Sequence, residues 1–366
     1  MRSPVRRWYK DRFAVKRATE GSTAQLVQLC AGYFACYVVT AISVKYFLST
    51  GMEDMQYLVY STVGGSAAVF PVVVGLRWYR MQSNRPVTWL GVRWPSELAY
   101  IIPSGVCTAV VIPTTTLMYT LPITVMVAMT MMRGSVIVAS RAVDAIQIRQ
   151  GILHKRVYPE ENLAVVLALG AVGVHIAYGV LEPGAFDFLT NPAALVIFCS
   201  YIGAYAVRIY LMNYYKNTRA KGVKLDNKGF FALEQFAATG AMIFATVLLV
   251  SYVDDPRVDA VRRAFTDPAP RWQWATASGL VFGASAFFSV FLFLFKGRTA
   301  TFAGLVNRLT SLVAGTTATL IWWAFGGRAV HLRDWLALGF VLGAVHLLAR
   351  AERRRAAEVA AEAAAG

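Results

Sequence analysis

The chain has 366 residues, of which 57% are hydrophobic and only 15% charged. That is too apolar for a soluble protein with one core, and the long apolar stretches run on without period-2 alternation, which favours helices over a membrane barrel. Lipid offers no partner to a backbone N–H or C=O, so the expected class is an all-α polytopic membrane protein. The formal net charge of +16 is then a matter of topology rather than of nucleic acid, because membrane proteins collect Lys and Arg in cytoplasmic loops.

Residues 1–23 carry Arg2, Arg6, Arg7, Lys10, Arg12, Lys16 and Arg17 among Trp8, Tyr9 and Phe13, a basic aromatic run suited to anionic headgroups on the cytoplasmic surface. The apolar run that follows, 24–48, is long enough to span and is read as an uncleaved first helix rather than a signal peptide. Further spans are expected at 56–76, 97–120, 121–141, 161–181, 191–213, 229–253, 272–295, 300–325 and 332–350, which makes ten. The third and fourth meet at a tight corner, Leu121-Pro122. With the N-terminus inside, cytoplasmic segments hold 26 of the 36 Lys and Arg, outer segments 6, and 4 fall within spans. The outer loops are short and acidic, as at Glu53-Asp54 and 182–187. The exception, 254–271, is read either as a solvated loop or as a short surface helix started by Asp255-Pro256, with Val258, Val261 and Phe265 on one face. Residues 352–366 form an Ala-rich cytoplasmic tail. The four cysteines, Cys30, Cys36, Cys107 and Cys199, lie in apolar spans without metal-ligand spacing and read as small core residues.

Ten spans divide into 24–181 and 191–351, and five per half, an odd number, forces the halves to insert with opposite orientation. Traces of duplication support the division. Arg133, followed by Val138-Ala139, matches Arg308, followed by Val313-Ala314, at an offset of 175 residues. Ser104-Gly105 recurs as Ser278-Gly279, Gly65 as Gly240, and Leu167-Ala168-Leu169-Gly170 before His175 as Leu336-Ala337-Leu338-Gly339 before His346. Inverted repeats are an architecture of secondary transporters, because one fold read from either side supplies two alternating gates.

The chemistry is sought in polar groups at membrane depth. Arg133 and Arg308 each lie well inside an apolar span, where an arginine costs several kcal/mol unless it faces a polar cavity or an acid. Either each snorkels or sits in a structural ion pair, or the two converge on one anionic substrate, whose phosphate or carboxylate a guanidinium holds bidentately. Glu234, five residues into the seventh span, is the one acid placed beyond the first few residues of a span and is the natural partner of an arginine in an empty site, with Arg208 nearest to it in depth. That pair is a cytoplasmic gate or a structural bridge. Lys45, near the outer end of the first span, either attracts anions to the outer mouth or snorkels. Polar groups cluster at Pro113-Thr114-Thr115-Thr116, at Asn307, Thr310 and Ser311 around Arg308, and at Tyr201, Tyr205 and Tyr210, though Ser and Thr in such helices often bond back to their own backbone. Glycines 64, 65, 105, 134, 240, 279 and 315 read as close-packing positions. Phosphate loops, H-E-x-x-H and paired Cys or His spacing are absent from the sequence, so neither an enzyme, nor a metal, nor a cofactor is expected.

Leu305-Val306-Asn307-Arg308-Leu309-Thr310-Ser311, the first-helix ending Ile42-Ser43-Val44-Lys45-Tyr46-Phe47-Leu48 and the stretch 228–239 around Glu234 resemble the drug/metabolite transporter superfamily, nearest its nucleotide-sugar and triose-phosphate translocator branch. The resemblance covers nearly all of 24–351. It implies exchange or uniport of a phosphorylated or otherwise anionic metabolite, held by cationic side chains on the fourth and ninth helices, here Arg133 and Arg308. Leu309 stands where that branch often has a second basic residue, and the basic segment 141–156 is a further departure. The expected function is therefore a secondary transporter in a bacterial inner membrane or an organelle membrane. Arg133, Arg308, Asn307, Thr310, Thr115 and Tyr205 would bind substrate, and Glu234, Arg208 and Lys45 would act in gating. The competing expectations are a membrane-embedded accessory or scaffold subunit docking partners through its basic cytoplasmic segments, and a lipid-phosphate flippase using the same arginines.

Overall fold

A backbone in lipid must satisfy its own hydrogen bonds, and the computed structural model of this chain is built almost wholly of helices. It describes residues 23–365 apart from 82, 85, 90, 154–156, 182–189, 221, 224 and 294–299. In chain order come α1 (Thr23–Ser49), α2 (Asp54–Gly75), the strands β1 (Pro86–Trp89) and β2 (Val92–Pro95), α3 (Leu98–Thr120), α4 (Val125–Arg149), α5 (Pro159–Leu181) and α6 (Pro192–Asn217). They are followed by α7 (Asn227–Tyr252), α8 (Pro256–Thr266), α9 (Trp272–Phe293), α10 (Ala300–Ala324) and α11 (Leu332–Ala365). Among the described residues, nine helices are long and apolar enough to cross a membrane. α10, 25 residues long, is not one of the nine, and Asn307 and Arg308 interrupt its apolar run. The basic segment 1–22 and the acidic loop 182–187 lie outside the described residues.

Several boundaries depart from the sequence reading. α4 continues eight residues beyond the expected end at 141, because its charged turns find partners: Arg141 donates to Asn162 of α5 at 3.2 Å and Gln147 to the Tyr210 carbonyl of α6 at 2.9 Å. The Ala-rich tail is the end of α11, as suits the best helix former. Within 77–96, read as a loop, β1 and β2 pair antiparallel with Pro86 opposite Pro95 and Trp89 opposite Val92. The short helix after Asp255-Pro256 is present as α8, with the Asp255 carboxylate accepting from Arg257 N at 2.8 Å. Its buried face is Ala260 and Ala264, whereas Phe265 is exposed. The cysteines are less buried than expected: three are half-buried, Cys30 among them packed against the core, and Cys199 is exposed.

The corner between α3 and α4 follows from local chemistry. The residue before a proline avoids the helical region, and Leu121 sits at φ −56°, ψ 152°, ending α3. Thr124 then caps α4 by accepting from Val127 N at 3.2 Å, and Thr319 of α10 accepts from Met126 N at 2.9 Å. Two of the unpaired N–H groups at the start of α4 are thus satisfied, one of them by another helix.

Helix crossings are set by small residues, as expected where lipid supplies no hydrophobic drive between helices. α2 crosses α9 where a Cβ on Gly64 would overlap the Thr276 carbonyl and one on Gly279 the Ser61 backbone. α3 crosses α7 where a Cβ on Gly105 would lie 2.8 Å from the Glu234 carbonyl oxygen. Gly65, Gly134 and Gly315 also face neighbouring helices closely, but Gly240 has open space beside it and is no packing position. α3 packs on α6 as well as α7, α1 on α9 and α10, and α5 on α11. At the centre runs α4, flanked by α5, α6 and α10, the helix with the largest buried share of its span.

Candidate functional site

Arg133 is the ninth of the 25 residues of α4 and only 2% exposed. Its Nη2 donates to the Tyr37 hydroxyl at 2.9 Å and to that of Tyr33 at 3.5 Å, and its Nη1 to that of Tyr201 at 3.3 Å. The guanidinium carbon also lies 5.6 Å from the centre of the Tyr37 ring, a cation–π distance. The cage is thus phenolic: three hydroxyls from α1 and α6, with the Arg133 Nε buried and lacking a hydrogen-bond partner. Tyr33 and Tyr37 are four residues apart, so one face of α1 presents both. That spacing was visible in the sequence, but they were not among the expected site residues.

Arg308, 3% exposed, extends from α10 to the Ser140 hydroxyl of α4, and its Nε is also buried without a hydrogen-bond partner. Ser140 lies seven residues past Arg133, roughly 10 Å by helical rise. The two arginines therefore attach to one side of the bundle core at successive levels along α4. They lie within electrostatic reach of each other, and Tyr201 and Tyr205 lie within reach of both. Below Arg308, toward the end of the bundle where α1 begins, is a narrow cavity of about 30 Å³ bordered by Ser140, Arg141, Asp144, Glu161 and Asn213. It has room for about one or two waters. Asp144 also acts electrostatically on Arg308. Asp144 falls in the stretch that the sequence reading left outside the fourth span.

The other expected residues are distributed differently. Adjacent residues on a helix point about 100° apart, so Asn307 turns away from Arg308 and donates to Ser289 of α9 at 3.3 Å. Thr310 bonds back to the Val306 carbonyl at 2.8 Å and Thr115 to that of Val111 at 2.6 Å. α3 runs unbroken through Pro113, with the hydroxyls of Thr114, Thr115 and Thr116 bonded to carbonyls one turn earlier. Of the six expected substrate-binding residues, Arg133, Arg308 and Tyr205 are brought into one region.

Glu234 and Arg208 form a buried bidentate pair, Nε to Oε1 and Nη2 to Oε2, both at 2.9 Å. Oε1 also accepts from Ser104 at 2.6 Å and from Thr108 at 3.2 Å. The cluster ties α6 and α7 to α3. At the end where α1 begins, Glu97 is fully buried and accepts from Ser83 Oγ at 2.6 Å, Asn84 N at 2.5 Å and Arg219 Nη1 at 2.6 Å. Burial works against its charge, but these donors and the Arg219 guanidinium prevail and hold the Glu97 carboxyl below the usual carboxylate range. At the opposite end, Lys45 Nζ donates to the carbonyls of Leu121 at 3.1 Å and Ile123 at 2.9 Å.

No family model and no curated protein matches the chain. One solved structure, described only as a crystal structure of a protein, aligns with a TM-score of 0.51 at 15% identity, covering 91% of this chain and 99% of that one. The likeness is one of fold alone.

Proposed function

We propose that this chain is a secondary transporter of a small anionic solute, a phosphate ester such as a sugar phosphate or nucleotide sugar, working by alternating access. The observation that carries the reading is the pair of buried guanidiniums, Arg133 and Arg308, each with an Nε that finds no acceptor and with hydroxyls as its hydrogen-bond partners. A buried cation whose hydrogen bonds go only to hydroxyls carries a desolvation cost that a bidentate oxyanion would offset. Arg308 borders the cavity at one end while tyrosines enclose Arg133, an arrangement suited to handing an anion from one level to the next as the halves rock.

In this reading α1–α5 and α6, α7, α9, α10 and α11 are two five-helix halves of opposite orientation, ten spans in all, with the N-terminus in the cytoplasm. The helix pairings support it. Exchanging the halves turns α1–α9 into α6–α3, α1–α10 into α6–α4, α2–α9 into α7–α3 and α4–α5 into α10–α11, and both members of each exchange are in contact. The repeated Ser-Gly pairs also fall at equivalent crossings. Ser104 bonds Glu234 across α3–α7, and Ser278 bonds the Tyr57 hydroxyl at 3.2 Å across α2–α9. The excess of Lys and Arg in segments at the end where α1 begins supports the orientation.

The test is uptake by the full chain in proteoliposomes, using labelled sugar phosphates and nucleotide sugars. Saturable uptake is expected, reduced about 10–100-fold in Arg133→Gln and in Arg308→Gln, the worth of a charge-assisted hydrogen-bonding group. Uptake equal to wild type in both variants, or none of any phosphate ester by the wild type, overturns the reading.

A further inference from the structure

The end of the bundle opposite the Arg308 cavity holds two more cations that, among the described residues, no carboxylate contacts through a hydrogen bond. Lys45, at the end of α1, donates to the Leu121 and Ile123 carbonyls. Arg328, exposed on the turn between α10 and α11, donates to the carbonyl between them, that of Pro122. Three successive carbonyls of the α3–α4 corner are thus taken by cations from two other elements. The two side chains act on each other electrostatically and, with Thr124, Thr319 and Trp322, line a cavity of about 200 Å³. A neutral carbonyl is a weaker partner for an ammonium or guanidinium than a charged oxygen.

We infer that Lys45 and Arg328 form a second anion site, for a phosphate-type oxyanion, at the start of α4. Oxyanion oxygens would replace the corner carbonyls on both cations, and Thr124, whose hydroxyl already serves as the helix cap, marks the site at the positive end of the α4 dipole. Arg133 follows nine residues later and Ser140, where Arg308 attaches, seven after that, so four cations are strung along one central helix. The role of this site as the outer station of a transport path rests on the proposed function; the site itself does not.

Trp322 makes the site observable. In the purified full chain, the part of tryptophan fluorescence lost in Trp322→Phe is followed while iodide, an anionic quencher, is added, with neutral acrylamide as control. Inorganic phosphate should reduce iodide quenching of that component at least about threefold by occupying the shared cationic cavity, leave acrylamide quenching unchanged, and do so equally in Arg133→Gln. The effect should vanish in Lys45→Gln/Arg328→Gln and be halved or less in Arg328→Gln, which alters an exposed turn and no spanning helix. Phosphate without effect on the wild type, or an effect that persists undiminished in these variants, overturns the site. A phosphate effect in a protein that takes up no phosphate ester leaves the site standing and removes the transport reading.

Discussion

Removing the Glu234 carboxylate is the sharpest test of how this bundle tolerates charge. Glu234→Ala deletes the acceptor of two Arg208 hydrogen bonds and of those from Ser104 and Thr108. The Arg208 side chain, 7% exposed, is then left as a charge without its counter-ion. Breaking a buried pair from one side costs about 3–5 kcal/mol, whereas replacing both members by apolar groups of similar volume is often neutral. For a chain of this length, that single loss corresponds to a fall in melting temperature on the order of 3–10 °C. Thermal unfolding in detergent, followed by tryptophan fluorescence, should show that fall for Glu234→Ala and recovery of most of it in Arg208→Met/Glu234→Leu. Uptake by the double variant then separates a bridge from a gate: wild-type kinetics mean a bridge, and a stable protein with altered turnover means a gate. A Glu234→Ala variant that melts with the wild type, or a double variant no better than the single, refutes the reasoning.

Other expectations follow from single contacts. Gly105→Ala should lower the melting temperature by several degrees, because its Cβ would lie 2.5 Å from that of Ala237, whereas Gly240→Ala, with open space beside it, should be neutral or stabilising by up to about 1 kcal/mol through helix propensity. Arg133→Lys keeps the charge but loses the planar fork that reaches Tyr37 and Tyr201 together, so uptake should fall nearly as far as in Arg133→Gln, measured as kcat/KM. The folded Glu97 carboxyl is held below its ordinary value, so its stabilisation is complete above the unfolded value near about 4.3 and is lost as pH falls through the folded one. Hydrogen exchange in 83–97 and 217–220, corrected for intrinsic rates, should therefore accelerate as the pH falls below about 4.3 in the wild type and show no such step in Glu97→Gln.

The sequence made the helices legible because an apolar segment in lipid has no alternative, and it made the small-residue crossings legible because Ser-Gly pairs repeat at one offset. It singled out Arg133, Arg308 and the Arg208–Glu234 neighbourhood because a charge at depth stands out from its surroundings. What it could not give was direction. Asn307 and Arg308 are neighbours in the chain, yet one turns to α9 and the other to α4, and the rotation that decides this is set by packing of α10 as a whole. Asp144 was hidden by a different effect, since a charged turn ends a hydropathy window without ending a helix.

The same physics explains why the cations at the α3–α4 corner were half seen. Lys45 stood out as a lysine near a span end, but its partners are backbone carbonyls, which every residue carries and no sequence pattern marks. Arg328 lies outside the spans in sequence, and it is the turn before α11 that brings it to the same corner. Cations held by carbonyls keep their full appetite for a charged oxygen, whereas those held by carboxylates, such as Arg208 and Arg219, are already neutralised. That distinction separates two groups among the cations of this bundle. Arg208 and Arg219 hold helices and loops together, while Lys45, Arg328, Arg133 and Arg308 follow α4 from one end to its far third, each hydrogen-bonded, among the described residues, only to neutral oxygens. A path for an anion requires groups of the second kind.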